Sequence, residues 1–276
     1  MSAHVSSGGY GAINGSGRFP PAPGDEEQPL LDGGWTSKST WRTSLMVNVR
    51  REWTDLILLA CYFVTGMLDS ASISTWGSFV SMQTGNTVYF GLGIAAPHES
   101  TRWIKSGSSI AFFSLGSVFF SIFHRYFSPT RRWVLCASFT IQTVVIIIAA
   151  AILTYGPKSL DPKESIGWPE IVPIALIAFQ ACGQAVVSRA LKHNALTSVV
   201  LTSIYCDLFS DANLLAMHNA ERNRRVSAPL LLLIGAVVGG LISHTSLGCA
   251  GVLWVAGVLK LAIVIAWFFW PADTTE

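Results

Sequence analysis

Charged residues are scarce in this sequence of 276 residues. Only 12% of the residues are charged and 51% are hydrophobic, whereas a soluble domain carries about 25% charged residues because its surface contacts water. The 18 basic and 16 acidic side chains are also unevenly spread, since ten of them fall in residues 1–54. This composition excludes a water-soluble globular protein. The net charge of +2, without a basic stripe, excludes a general nucleic-acid binder.

Motifs for metal binding and catalysis are missing as well. The five cysteines occur singly inside apolar runs, with no Cys-x-x-Cys or Cys/His pair, so neither a zinc site nor a redox dithiol is predicted. The motifs of serine hydrolases, zinc proteases, phosphate-binding loops and dinucleotide-binding enzymes do not occur. We therefore expect no enzyme activity, no cofactor and no metal, and an intramembrane enzyme is the least favoured alternative.

The first 52 residues differ in composition from the rest. Residues 6–34 are rich in Gly, Pro, Ser and acidic side chains, so we expect residues 1–52 to form a disordered, cytosolic tail. Within it, Glu26, Leu30 and Leu31 resemble an acidic dileucine sorting signal, which a sorting adaptor would bind. The pattern points to an endosomal or vacuolar membrane, and the plasma membrane is the alternative.

Residues 53–271 are predicted to form a transmembrane domain, followed by a short tail of residues 272–276. A membrane-spanning helix needs about 20 apolar residues, and no strand-like alternation appears, so an all-α helical bundle is predicted. Eight hydrophobic stretches are expected near residues 55–75, 78–96, 105–124, 133–154, 171–191, 195–215, 228–247 and 250–270.

Two of the eight stretches, the second and the sixth, are too polar to face lipid. Their side chains must be buried by protein or line a wet cavity, where they would bind a solute or ion or hold helices together. The candidate binding residues in these stretches are Gln83, Thr84, Gly85, Asn86 and Thr87, and then Thr202 and Ser203.

A weak internal repeat relates the two polar stretches. Gly66 and Gly183, each in the stretch before a polar one, are 117 positions apart, and the polar stretches themselves are about 118 apart. The repeat divides the domain into halves near residues 53–154 and 168–271. Each half then contains four hydrophobic stretches, of which the second is interrupted.

The topology is predicted from three clusters of basic residues, since cytoplasmic loops carry an excess of Lys and Arg. The clusters lie near Arg50, at residues 125–132 and at residues 222–225. All three reach the cytoplasm if the second stretch of each half is broken or re-entrant, which gives six net crossings and two inverted halves. Eight full crossings are the alternative, with one basic loop on the opposite side.

Three polar side chains are predicted deep inside other stretches. Asp69 either couples transport to a proton or cation, or caps the broken second stretch by accepting its N–H groups. Gln180 and Gln184 are four residues apart and share a helix face, where they line a cavity or connect helices.

Basic residues at the junction of the fifth and sixth stretches, and one in the last stretch, also have two interpretations each. Arg189, Lys192 and His193 could bind an anionic solute or pair with an acidic residue, or they could extend to lipid head groups. Lys260 interrupts the last stretch, so its side chain either reaches the interface or pairs with a buried carboxylate.

Two segments carry a resemblance to a known family. Residues 63–69 (Phe-Val-Thr-Gly-Met-Leu-Asp) and 77–88, with the run Met-Gln-Thr-Gly-Asn-Thr, resemble the YoaK-like family, domain of unknown function 1275, over about residues 53–270. Residues 178–183 and 194–203 resemble it in the second half. The sequence departs from the family pattern at Met67-Leu68 and at Ser203, where Gly is common. The resemblance implies an integral membrane protein without an assigned activity.

We therefore expect a multi-pass membrane protein whose partners are the lipid bilayer and an unknown small solute or ion. The leading hypothesis is a transporter, with Asp69 as a candidate proton-coupling group. The alternative is a non-transporting membrane scaffold or partner subunit, because each polar residue also has an explanation in helix packing.

Overall fold

A computed structural model describes residues 44–157, 166–193, 199–216 and 218–273. These residues form helices joined by short segments, and they contain no strand, only isolated bridges. The helices are α1 (Thr54–Trp76), α2 (Gln83–Ala95), α3 (Arg102–Phe127), α4 (Arg132–Tyr155), α5 (Trp168–Ala190), α6 (Thr202–Phe209), α7 (Ala220–Ser243) and α8 (Gly248–Phe268). The predicted all-α bundle is confirmed.

Six of these helices are long and apolar enough to cross a membrane, namely α1, α3, α4, α5, α7 and α8. The other two, α2 and α6, have only 13 and 8 residues, whereas a crossing needs about 20. The number of candidate spans is thus the six favoured by the basic clusters, and the lengths of α2 and α6 do not support eight full crossings.

Several helix boundaries differ from the predicted stretches. α7 begins at Ala220 instead of residue 228, because the Asn219 side chain caps the helix by accepting the N–H of Arg222 at 2.9 Å. The basic residues that follow therefore lie in the first turns of α7 and not in a loop. In the second stretch, residues 78–82 are not helical, and α2 begins only at Gln83.

The helices pack with an approximate two-fold symmetry between the halves. α1 of the first half packs against α7 of the second, and α5 of the second packs against α3 of the first, while α4 and α8 pack against each other. Equivalent helices are buried to similar extents: 72% and 78% for α1 and α5, 22% for both α3 and α7, and 44% for both α4 and α8. With three candidate spans in each half, the second half has the opposite orientation, as in transporters with inverted repeats.

Described residues from all three basic clusters lie at one end of the bundle, which we call the basic end. Trp270 joins two of them, since its carbonyl oxygen accepts a hydrogen bond from Arg132 at 2.5 Å and its indole N–H donates to the carbonyl of Arg50 at 2.9 Å. Arg224, from the third, forms an ion pair with Asp55 at 2.7 Å. The first and last described segments thus meet at the same end, as an even number of crossings requires.

Close contacts between helices occur at equivalent glycines. A Cβ atom on Gly235 of α7 would lie 2.0 Å from the carbonyl oxygen of Phe63 in α1, and one on Gly116 of α3 would lie 2.4 Å from that of Phe179 in α5. Both contacts are with backbone atoms, which cannot move without displacing the neighbouring helix. Small residues of this kind let membrane helices approach closely, so these glycines set the spacing of the two helix pairs.

Gly235→Ala is expected to destabilise the protein by about 1–3 kcal/mol, because the added methyl group overlaps the α1 backbone. The matched control is Gly240→Ala in the same helix, where an added Cβ meets no atom within 4 Å. Thermal unfolding in one detergent measures both. Equal melting temperatures for the two variants would contradict this account of the α1–α7 contact.

Candidate functional site

Two groups of buried polar side chains lie inside the bundle. The first, the capping cluster, consists of Asp69, Ser81, Gln83, Asn86 and Ser109. The second, the lysine network, contains one side chain from each of α8, α4, α5 and α1, in that order Lys260, Gln142, Gln184 and Thr65. It continues from Gln142 through Ser138 to His124.

Asp69 holds the segment that follows α1. One carboxylate oxygen accepts the backbone N–H groups of Val80 and Ser81, each at 2.9 Å, and the other accepts the Ser81 hydroxyl. α1 ends at Trp76, about two turns beyond Asp69, so residues 77–82 turn back alongside it. Both oxygens of Asp69 are therefore engaged in fixing this re-entrant segment, which is the capping interpretation of this residue.

Asn86 connects the same segment to α3. Its side-chain oxygen accepts the N–H of Phe79 at 3.0 Å, and its amide group donates to the Phe79 carbonyl at 2.7 Å and to the Ser109 hydroxyl at 3.0 Å. Gln83 donates to Ser109 as well, at 3.2 Å. The capping cluster thus ties residues 77–82 to α1 through Asp69 and to α3 through Asn86.

Other candidate residues in the two short helices lie outside both groups. Four hydroxyl side chains of these helices are exposed, namely those of Thr84, Thr87, Thr202 and Ser203, and Gly85 is half-buried. Protein therefore does not bury these four side chains, and that they line a wet cavity stays a prediction. A Thr or Ser hydroxyl can bond to its own helix and needs no other partner. Thr87 does so, donating to the carbonyl of residue 83 at 2.9 Å.

The second half replaces part of the capping cluster by apolar contacts. Ile204 of α6 takes the place of Asn86, and Ala228 of α7 that of Ser109, and both are buried in one hydrophobic cluster with Leu58 of α1. In the described residues, α6 therefore packs through apolar contacts at positions where α2 packs through polar ones, in agreement with the departure from the family pattern at Ser203.

The lysine network has a completely buried amine at its centre. Lys260 is 0% exposed, and its Nζ donates to the side-chain oxygens of Gln142 and Gln184, each at 2.7 Å. Gln184 in turn donates to the Thr65 hydroxyl at 2.5 Å. The ring of Phe139 lies 5.1 Å from Nζ, a cation–π distance. Lys260 thus neither reaches the interface nor forms an ion pair with any described carboxylate, contrary to both sequence-based interpretations.

The sequence analysis placed Gln184 among the candidate residues but missed Gln142. Its signal was a single amide in the uncharged fourth stretch, together with a single lysine in the eighth. Gln180 lies one turn before Gln184 and is buried, and its side-chain oxygen has no hydrogen-bond partner among the described residues. In the same residues, no group of three His, Cys, Asp or Glu side chains could hold a metal ion.

Asp69→Asn is expected to leave stability nearly unchanged, because its amide oxygen still accepts the two backbone N–H groups. Asp69→Ala leaves those buried donors unsatisfied and should cost about 3 kcal/mol. The melting temperatures of the two purified variants measure the difference. If Asn destabilised the protein as much as Ala, the carboxylate charge and not its hydrogen-bonding geometry would be the essential property.

Comparison with known proteins places the chain in a family. No curated protein and no solved structure matches it. The family model described as a protein of unknown function, DUF1275, matches residues 57–266, which include all six candidate spans in whole or in large part and both buried polar groups. The chain therefore belongs to the DUF1275 family of membrane proteins.

Proposed function

We propose that the protein is a membrane carrier for a small solute or ion and that Lys260 forms its central binding site. The observation that carries this proposal is the buried amine, which has no ionised partner within residues 44–157, 166–193, 199–216 and 218–273. An ammonium group inside a membrane bundle costs several kcal/mol unless an anion or a set of strong acceptors surrounds it. Gln142 and Gln184 accept two of its three hydrogens, which leaves the third for a bound solute.

The position of Lys260 supports the same role. It lies in the middle of α8 and meets Gln142 in the middle of α4, where the two inverted halves pack against each other. Transporters with inverted repeats bind their substrates near the midplane, between the repeats. A side chain there can contact a solute arriving from either side of the membrane.

Proton coupling through Asp69 has less support than coupling through the lysine network. Asp69 is occupied by three hydrogen bonds from residues 80 and 81, and losing them would release the re-entrant segment. The Lys260 amine can release and take up a proton without releasing the segment of residues 77–82, since a buried lysine changes protonation readily.

A non-transporting scaffold or partner subunit is the second candidate. It is favoured by the close packing of the network, because Lys260, Gln142 and Gln184 are almost completely buried and bond to one another. A satisfied polar network can serve only to specify how helices pack. We assign no catalytic activity to the protein in either case.

The proposed partners are the lipid bilayer and, at the N-terminal tail, a sorting adaptor. Glu26, Leu30 and Leu31, which would bind the adaptor, lie outside the described residues. An endosomal or vacuolar membrane therefore stays a proposal beside the plasma membrane.

The test is uptake by the full chain in proteoliposomes, measured over a panel of carboxylates, inorganic phosphate, amino acids and sugars. We expect Lys260→Met to reduce uptake of the transported solute by about tenfold or more without lowering the melting temperature, since an apolar side chain can replace a buried charge. The control is Lys192→Met, which removes the same charge from an exposed position.

The two candidates give different results in this assay. Uptake that is lost only in Lys260→Met supports the carrier and its site. Wild-type uptake no faster than that of empty vesicles over the whole panel, with correctly folded protein, would support the scaffold instead. Wild-type uptake that Lys260→Met leaves intact would keep the carrier but overturn the central site.

A further inference from the structure

A cavity of about 540 Å³ opens at the basic end, between the C-terminal turns of α3 and α5. We call it the basic cavity. Its volume is that of a small-molecule site. The residues that line it include Ser121, His124, Arg125, Pro129, Val186 and Arg189.

The charge of the basic cavity has one sign. Arg125 and Arg189 contribute two guanidinium groups, and none of the lining residues is acidic. Arg125 donates one hydrogen bond, to the Ser121 carbonyl at 3.3 Å, and Arg189 has no hydrogen bond or ion pair with a side chain in the described part of the chain. Guanidinium groups with free donors bind carboxylates and phosphates, often through two parallel hydrogen bonds.

His124 lines the same cavity and is itself buried. The residue is only 3% exposed, its Nε2 lies 3.2 Å from the Ser138 hydroxyl, and its Nδ1 has no partner among the residues described. A buried ring nitrogen without a partner is costly, so the wall of the cavity contains one polar side chain that is not fully satisfied.

Hydrogen bonds connect His124 to the lysine network. A protonated Lys260 can only donate, so the oxygen of Gln142 faces it, and the Gln142 amide group donates to Ser138 at 3.4 Å. The Ser138 hydroxyl oxygen lies 3.2 Å from Nε2 of His124. The network thus joins the ring of His124, which lines the cavity, to the amine of Lys260.

We propose that the basic cavity binds a small anion bearing a carboxylate or phosphate group, held by the guanidinium groups of Arg125 and Arg189. This inference rests on the proposed carrier function and names its substrate class. The chain of hydrogen bonds from His124 through Ser138 and Gln142 leads from the cavity to Lys260, the cation that an anion would meet at the centre of the bundle.

The same chemistry is available from a soluble anion or from the head group of an anionic lipid, so the experiment has two arms. In the first, the full chain in nanodiscs of phosphatidylcholine is titrated with inorganic phosphate and with acetate. In the second, retention of phosphatidylglycerol by protein from mixed nanodiscs is measured by native mass spectrometry. The variants are Arg125→Gln and Arg189→Gln, with Arg131→Gln as a control at the same end but outside the cavity lining.

We expect saturable binding in one arm that each cavity variant weakens by about tenfold, as removal of one charged hydrogen-bond donor predicts, and that Arg131→Gln leaves unchanged. Binding in the first arm identifies a soluble anion as the ligand, and binding in the second alone identifies a lipid head group. No binding in either arm, or equal loss in Arg131→Gln, overturns the site. Binding is measured without transport, so a failed uptake assay with intact binding would reject the carrier and keep the anion site.

Discussion

The structure depends on the placement of one amine in the middle of a membrane bundle. Lys260 is buried among four helices, and only the side-chain oxygens of two glutamines accept its hydrogen bonds. For stability alone, an apolar side chain at this position would be more favourable than a buried ammonium group. Because an ammonium group can only donate, it also orients both glutamine amides. The Gln142 amide group then donates to Ser138, whose hydroxyl contacts His124.

The two halves share their helix packing but differ in their polar groups. The glycine contacts of α1 with α7 and of α5 with α3 are equivalent, whereas Asn86 and Ser109 of the first half correspond to Ile204 and Ala228 of the second. In the first half, hydrogen bonds to Asp69 and Asn86 hold residues 77–82, whereas in the described part of the second half Ile204 and Ala228 pack in an apolar cluster. These positions of the two halves therefore need not respond alike to a bound solute.

Much of this architecture follows from the sequence. Hydropathy and three arginine-containing clusters predict six spans and a common basic end, because length and charge act locally. The capping role of Asp69 could be stated only as one of two possibilities, since its hydrogen-bond partners depend on how residues 77–82 turn back. The lysine network could not be predicted, because Lys260 and Gln142 are 118 positions apart and only the packing of α4 on α8 brings them together. The start of α7 was missed because the cap at Asn219 outweighs the charge of the residues that follow.

The central claim is that Lys260 has no anionic partner among the residues that the structure describes and faces Gln142. It is tested most directly by measuring the melting temperature of Gln142→Glu in the wild-type background and in Lys260→Met. A carboxylate beside an unpaired ammonium should change stability by less than about 1 kcal/mol in the wild type, because an ion pair forms, and should cost about 3 kcal/mol or more in Lys260→Met, where the new charge is buried alone. Equal destabilisation in both backgrounds would contradict the account.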